Sequence, residues 1–233
     1  TAQNFNRHYP DMAAAVLADA IPRMGDDPKA NVATVRRLVG QWLEGWVPAS
    51  ELESQRRQLL RLSHDADLVL DLHCDTEAVM HLYSEEACWP PFEPLARLLG
   101  CQAVLLARES GGGPFDERLS GLWWQLAAAL RAAGVSAPLP QACASTTVEL
   151  RGEADVSHAH ARQDAQAILA FLAHAGVLAA GAPAPLPPLA CQPTPLAGSQ
   201  TLRSPVPGVL VFLVQPGATL AVGDVVAEVI DPT

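Results

Sequence analysis

A short apolar run with polar residues at its end decides the fold of this chain: residues 67–73 read DLVLDLH. Its length suits a buried strand. Similar runs follow at residues 103–107 and 144–150. Apolar residues at helical spacing predict helices before and between these strands, at residues 29–46, 51–63, 92–99, 119–133 and 163–174. The alternation predicts an α/β layer protein with a mostly parallel central sheet.

The composition of the 233 residues excludes several classes of function. Hydrophobic residues make up 49% and charged residues 17%, which is typical of a globular protein. The net charge of −10 argues against a nucleic-acid partner, because phosphate binding needs clustered Lys and Arg. No apolar run approaches the ~18 residues that span a bilayer, and no basic flank leads into an apolar stretch. We therefore expect no signal peptide, no membrane partner and a cytoplasmic location.

Lysine and cysteine usage narrows the chemistry further. Lys29 is the only lysine among 15 basic residues. This excludes Schiff-base enzymes, swinging-arm carriers and P-loop phosphate binders, which need a lysine elsewhere in the chain. The five cysteines are widely spread and form no C-x-x-C pair, which argues against a zinc ribbon or a disulfide scaffold. Reduced, mostly buried thiols are expected.

The chain divides into three parts by composition. Residues 1–178 form the α/β domain. Residues 179–200 are rich in Ala and Pro and predict an extended linker. Residues 201–233, which we call the C-terminal β module, contain β-branched runs at 209–214 and 225–230 with glycines between them. This pattern predicts a small all-β module.

Two strand ends carry side chains suited to catalysis. His73 ends the first strand, where a backbone carbonyl or Asp71 could fix its tautomer for metal or proton chemistry. Glu149 ends the strand at 144–150, and a buried carboxylate there is costly unless it is paired or used. Functional groups gather at such strand ends in α/β sheets. The alternatives are a structural histidine and an ion pair between Glu149 and Arg151 or a distant arginine.

Three other motifs each have a functional explanation and a simpler one. Arg7, preceded by Asn6, offers a bidentate fork for a carboxylate, although an N-terminal arginine is ordinarily solvated. His158 and His160 could bind a metal on a strand, but they stand at a helix start, so we expect exposure to solvent. The glycines at 111–113 lack the Gly-Lys-Ser/Thr of a phosphate loop.

Together, four segments resemble the succinylglutamate desuccinylase/aspartoacylase family of zinc carboxypeptidase-like proteins. Residues 4–11, NFNRHYPD, resemble that family's D-L-N-R-x-F-P-G segment. Residues 67–73 resemble its strand ending in D-L-H, and residues 147–150, TVEL, resemble its T-x-E-L-G segment. The C-terminal β module resembles the lipoyl-like barrel that family members append. The resemblance implies a three-layer zinc hydrolase domain followed by that barrel.

The resemblance also implies roles for individual residues. His73 would be a ligand of one Zn²⁺ per subunit, and Glu149 would be the general base. Asn6 and Arg7 would bind the substrate's carboxylate or polarise its carbonyl. The family's other two zinc ligands come from an H-x-x-E segment that this sequence does not contain. We expect those ligands to lie on residues that the sequence lacks.

The expected activity is zinc-dependent hydrolysis of the amide bond of a small, anionic N-acyl amino acid or a similar amide. A zinc carboxypeptidase acting on peptides and a non-catalytic binding protein that has lost its metal site are the alternatives. The C-terminal β module has no lysine, so it cannot be a lipoyl or biotinyl carrier. A structural role, a lid, or a surface for a homo-oligomer remains.

Overall fold

Helices and strands alternate along the computed structural model, which describes residues 4–179 and 185–233. The helices of the described residues are α1 Met12–Ala20, α2 Pro28–Gly45, α3 Glu51–Ser63, α4 Trp89–Leu99, α5 Phe115–Ala132 and α6 His158–His174. The strands are β1 Leu68–Asp75, β2 His81–Glu85, β3 Ala103–Ala107, β4 Ala144–Gly152, β5 Thr194–Pro195, β6 Val209–Phe212 and β7 Ala227–Ile230. The five predicted helices and the three predicted strands of the α/β domain are confirmed, whereas α1 and β2 were not predicted.

The central sheet has five strands in the order β1-β4-β2-β3-β5. It is mostly parallel, which confirms the predicted α/β class. Its last strand comes from the segment predicted to be a linker: Thr194 and Pro195 pair in parallel with Leu105 and Leu106 of β3. Residues 180–184 of that segment lie outside the described residues.

The C-terminal β module contains a separate sheet of two antiparallel strands, β6 and β7. Val209 lies opposite Ile230 and Phe212 lies opposite Ala227. The prediction of an all-β module is supported to that extent, but the lipoyl-like barrel is not confirmed.

The chain forms two compact units. The first runs to Asp71 and adds residues 84–91 and 108–147. The second comprises residues 72–83, 92–107 and the described residues from 148 onward. Strands β1, β2 and β4 contribute residues to both units.

The first unit is built around a helical core. Helices α1, α2, α3 and α5 place apolar residues at three- and four-residue spacings on one face each, which buries them together. Among the fully buried side chains are Met12, Leu43, Leu60, Leu119, Leu122, Trp123, Leu126 and Leu130. Side-chain caps fix the helix starts, since Asp11, Asp27 and Ser50 accept backbone N–H groups of α1, α2 and α3.

The second unit has a smaller core, in which Phe92 of α4 packs against Phe171 of α6 with ring centroids 6.0 Å apart. Leu82, Leu95 and Val104 are also fully buried there. Strand and helix residues therefore share this core.

The five cysteines are free thiols, as predicted. Cys88, Cys101 and Cys143 are buried, and burial raises the pKa of each, to about 11, 12 and 12 respectively. Such thiols stay protonated and unreactive near neutral pH. Among the helices of residues 4–179 and 185–233, none is both long and apolar enough to cross a membrane.

The aromatic pair in the second core gives a stability prediction. Phe171→Ala should lower the free energy of unfolding by about 3–5 kcal/mol, because it removes a side chain that is 1% exposed and leaves a cavity against Phe92. Urea titration measures the change. Leu169→Ala on the same helix is the control, since Leu169 is 55% exposed and its loss should cost within about 0.5 kcal/mol. Equal costs for the two variants would contradict this packing.

Candidate active site

His73 and Glu149 lie in the second unit, on two neighbouring strands of the central sheet. His73 stands two residues before the end of β1, and Glu149 stands three residues before the end of β4. Both side chains are half-buried. Strand backbone is rigid, so these two groups keep fixed positions on adjacent strands.

The family resemblance implies a zinc ion. A catalytic zinc site needs three protein ligands, drawn from His, Cys, Asp or Glu. Within residues 4–179 and 185–233, no group of three or more such side chains could hold a metal ion. The described residues therefore do not fit zinc by themselves, and His73 stays a predicted ligand.

The end of β4 has an unusual backbone at Arg151, the residue that follows the T-V-E-L segment. Arg151 has φ of 68°, a left-handed conformation that costs an L-residue about 1 kcal/mol or more. Its guanidinium donates to Asp164 of α6 across 2.5 Å, with 17% and 11% of the two side chains exposed. The next residue, Gly152, has no room for a side chain, because a Cβ would lie 3.0 Å from the Thr76 carbonyl oxygen.

Asn6 lies in the first unit, where it caps α5. Its Oδ1 atom accepts a hydrogen bond of 2.9 Å from the Phe115 backbone N–H, 109 residues away. The N-cap position itself is Pro114, which offers no side-chain acceptor. Asn6 therefore satisfies a helix end that would otherwise lack a partner.

The glycine loop at 111–113 holds the segment around Arg7. The backbone N–H groups of His8 and Tyr9 donate to the carbonyl oxygens of Gly112 and Gly113, over 2.7 and 3.0 Å. A Cβ on Gly112 would lie 2.9 Å from Cδ of Arg7, and φ is positive at all three glycines. The loop therefore needs glycine, because its backbone has positive φ and because Arg7 passes too close to leave space for a side chain on Gly112.

Two buried carboxyl groups of the first unit were missed by the sequence reasoning. Glu85 accepts a hydrogen bond of 2.9 Å from the Trp124 indole, and burial raises its pKa. It borders a cavity of about 160 Å³ beside the glycine loop. Asp116, in the first turn of α5, is 6% exposed, and burial raises its pKa to about 7. Asp116 follows the apolar Phe115, but Glu85 lies between Ser84 and Glu86, so no local pattern marks Glu85 as buried.

Asp116 also ties α5 to β4 within the first unit. The Ser145 hydroxyl donates to the Asp116 carbonyl oxygen over 2.5 Å. The Thr147 side chain hydrogen-bonds to the Asp116 carboxyl group. The first turn of α5 is therefore hydrogen-bonded to the strand segment that precedes Glu149.

The two histidines near the start of α6 and two further side chains, Arg108 and Cys74, are placed as follows. His158 is exposed and begins α6, as expected, while His160 is half-buried with Nδ1 3.2 Å from the Asp155 carbonyl oxygen. Arg108 stacks over the Trp124 ring at 4.3 Å. Cys74 is exposed.

Solved structures share the arrangement of strands and helices described here. A protein from Shewanella frigidimarina NCIMB 400, assigned to the succinylglutamate desuccinylase/aspartoacylase family, superposes with a TM-score of 0.80 at 24% identity, covering 100% of this chain. A protein from Shewanella amazonensis SB2B, assigned to the same family, gives 0.77 at 24% identity and the same coverage. This chain has the succinylglutamate desuccinylase/aspartoacylase fold. The predicted resemblance is thereby confirmed at the level of the fold.

The ectoine utilization protein EutE (DoeB) from Ruegeria pomeroyi, in its product-bound structure, shares that desuccinylase/aspartoacylase fold more distantly. Its TM-score is 0.55 at 17% identity, covering 80% of this chain and 53% of its own. No protein-family model matches the sequence, and no curated protein matches it. The chain spans 62% and 61% of the lengths of the two Shewanella proteins.

Removing the Asn6 cap should destabilise the first unit. Asn6→Ala leaves the Phe115 N–H without its acceptor, so the free energy of unfolding should fall by about 1 kcal/mol in urea titration. Asn6→Asp is the control, because it keeps an acceptor oxygen and adds a charge that the helix N-terminus favours. Full stability in the alanine variant would show that this hydrogen bond is unimportant.

The buried Asp116 should make stability depend on pH. Its pKa rises from 3.8 to about 7 on folding, so between these values the folded chain holds a proton that the unfolded chain has released. The free energy of unfolding should then fall as pH rises from about 4 to about 7. In Asp116→Asn, the loss of unfolding free energy over this pH range should be smaller by roughly a few kcal/mol.

Urea titrations at pH 5 and pH 8 measure the difference for the wild type and for Asp116→Asn. The control is Asp26→Asn, since Asp26 is exposed in the same unit. If wild type and Asp116→Asn lose the same stability between the two pH values, the assignment to Asp116 is wrong.

Proposed function

We propose that this protein hydrolyses the amide bond of an N-acyl amino acid or a similar small amide. The observation that supports it is the occurrence of His73 and Glu149 on neighbouring strands of a desuccinylase/aspartoacylase fold. Both residues stand in the segments that resemble the family's D-L-H and T-x-E-L motifs. Fold alone does not determine an activity, so the proposal depends on these two side chains.

Glu149 is assigned the general base. Its carboxylate would accept a proton from a water molecule as the water oxygen bonds to the amide carbonyl carbon. The C–N bond then breaks, and the same proton passes from Glu149 to the leaving nitrogen. The Glu149 carboxyl group thus accepts the proton in the first step and returns it in the second.

Arg7 and Asn6 are assigned to binding of the substrate. A guanidinium can hold the carboxylate of the amino-acid half through two parallel hydrogen bonds. Arg7 is half-buried and its Nη1 donates to the Asn6 carbonyl oxygen over 2.6 Å, which limits its movement. The substrate would then be a small anion.

Zinc enters the proposal through the family resemblance. One ion per subunit would take His73 as a ligand, and the other ligands would come from outside residues 4–179 and 185–233. The buried thiols favour a reducing, cytoplasmic location. Nucleic acid and membranes are not expected partners, and the C-terminal β module offers a surface for a homo-oligomer.

Replacement of the base tests the activity. Glu149→Gln should lower the turnover of N-acyl amino acids by roughly 10²–10⁴-fold, because glutamine cannot accept the proton. Release of the free amine is measured, together with metal content and the far-UV spectrum of the folded protein. Glu153→Gln is the matched control, since Glu153 is an exposed carboxylate four residues further on. Near-normal turnover in Glu149→Gln would contradict this mechanism.

A non-catalytic binding protein is the second candidate. It is favoured by the lack of a three-ligand cluster within the described residues. In that case the purified protein would bind acyl-amino acids, contain no zinc and release no amine. Peptides belong in the same assay, because cleavage of peptides alone would favour the carboxypeptidase alternative.

A further inference from the structure

The C-terminal β module exposes an unusual amount of apolar surface. Its residues 201–233 all lie within the described ranges, and none of them is buried. This segment nevertheless holds ten of the nineteen large apolar side chains that are exposed among the described residues. Monomeric proteins rarely leave so much apolar surface together, and such patches mark interaction sites. A two-stranded ribbon is also only marginally stable alone, so we expect another surface to cover it.

The two faces of the β6–β7 ribbon differ in character. Successive strand residues point to opposite faces, and Leu210 lies opposite Val229, so one face carries Leu210, Phe212, Ala227 and Val229. All four side chains are apolar, and all four line a groove of about 380 Å³. The other face carries Glu228, an exposed carboxylate that marks the solvent side. The first face, which we call the groove face, has the uninterrupted apolar character of a surface that is normally covered.

The charges of the module favour a second copy of this chain as the partner. One arginine, Arg203, stands against the three carboxylates of the module, which leaves a net charge of −2 out of −10 for the chain. Two modules therefore approach each other with little repulsion. Arg203 lines the groove and Asp224 adjoins Val225 of its wall, so both signs are present for pairing between copies. An anionic membrane would instead be repelled by the excess of carboxylates.

The size of the groove face fits a small dimer interface. Eight of the ten residues that line the groove are apolar, including Leu202 and Val225 besides the four on the strands. A fully buried apolar side chain removes roughly 60–120 Å² from water, so these partly exposed ones offer on the order of 500 Å² per copy. Two copies would then bury on the order of 1,000 Å², the lower limit of a specific interface. The eight residues outside the described ranges contain no large apolar side chain that would pack there.

We propose that two copies of this chain associate through the groove faces of their C-terminal β modules, across a two-fold axis that stacks one β6–β7 ribbon on the other. Both copies use the same surface, so Leu210 and Phe212 of each chain pack against the ribbon of its partner. Stacked sheets lie roughly 10 Å apart, which accommodates one layer of side chains from each ribbon. The dimer does not depend on the hydrolase function proposed above.

Sedimentation velocity of the full chain tests this association. Because the interface is small, the wild type should change from the mass of one chain to that of two between roughly 1 and 100 µM. Leu210→Asp should raise the dissociation constant by about tenfold or more, because it places a carboxylate in the apolar interface. Val209→Asp is the matched control, since Val209 is 54% exposed against 50% for Leu210 and lies on the opposite face of the same strand. Its dissociation constant should stay within about twofold of the wild-type value.

Hydrogen exchange shows whether each variant keeps the ribbon. At a concentration where the wild type is a monomer, the amides of residues 209–212 and 227–230 should exchange alike in all three proteins. At high concentration they should exchange about threefold slower in the wild type and Val209→Asp, and at an unchanged rate in Leu210→Asp. If an aspartate opens the ribbon, Leu210→Ala and Val209→Ala replace the pair, and only Leu210→Ala should weaken association, by about threefold.

Three results would overturn the proposal: the mass of one chain at every concentration, a dimer that Leu210→Asp leaves unchanged, or equal weakening by two variants that both keep the ribbon. Flotation with phosphatidylcholine vesicles is measured in parallel. Flotation that Leu210→Asp abolishes, combined with the mass of one chain in solution, would assign the groove face to a lipid surface instead. A dimer that fails to release amine from acyl-amino acids would leave this proposal standing and remove only the hydrolase function.

Discussion

Helix α5 has Pro114 at its N-cap and no side-chain cap from its own segment, and several contacts of the first unit converge on this helix end. Asn6 supplies the missing acceptor for the Phe115 N–H, and the glycine loop before the helix binds the backbone of His8 and Tyr9. Ser145 then joins the first helical turn to β4. An unsatisfied helix end inside a protein is costly, so these contacts must form together. The glycines at 111–113 therefore serve a structural purpose, which explains their positive φ values without a phosphate.

Strand β4 connects this arrangement to the candidate chemistry. Its first half carries Ser145 and Thr147, which are fixed to Asp116, and its second half carries Glu149 and Arg151. The backbone of a β-strand is extended and paired with its neighbours, which gives Glu149 a rigid backbone. A general base benefits from such rigidity, since proton transfer requires its oxygen within hydrogen-bond reach of the water.

Local patterns predicted most of the fold, and the failures have identifiable causes. Strand β3 was predicted at its observed bounds, because an uninterrupted apolar run between polar residues marks a buried strand. Helix α1 was missed because alanines form much of its buried face and give weak periodicity. Strand β2 was missed because it buries His81, Ser84 and Glu85, which apolar patterns do not count. Short motifs predicted His73 and Glu149 as site residues, whereas the capping of α5 by Asn6, 109 positions from Phe115, has no local signal.

The fold leaves the substrate open, because it is shared with proteins only 24% identical to this chain. In this chain Arg151 follows the T-V-E-L segment directly. Arg151 has φ of 68°, and Asp164 holds its guanidinium and balances its charge. An arginine with a built-in counterion is a hydrogen-bond donor without net charge.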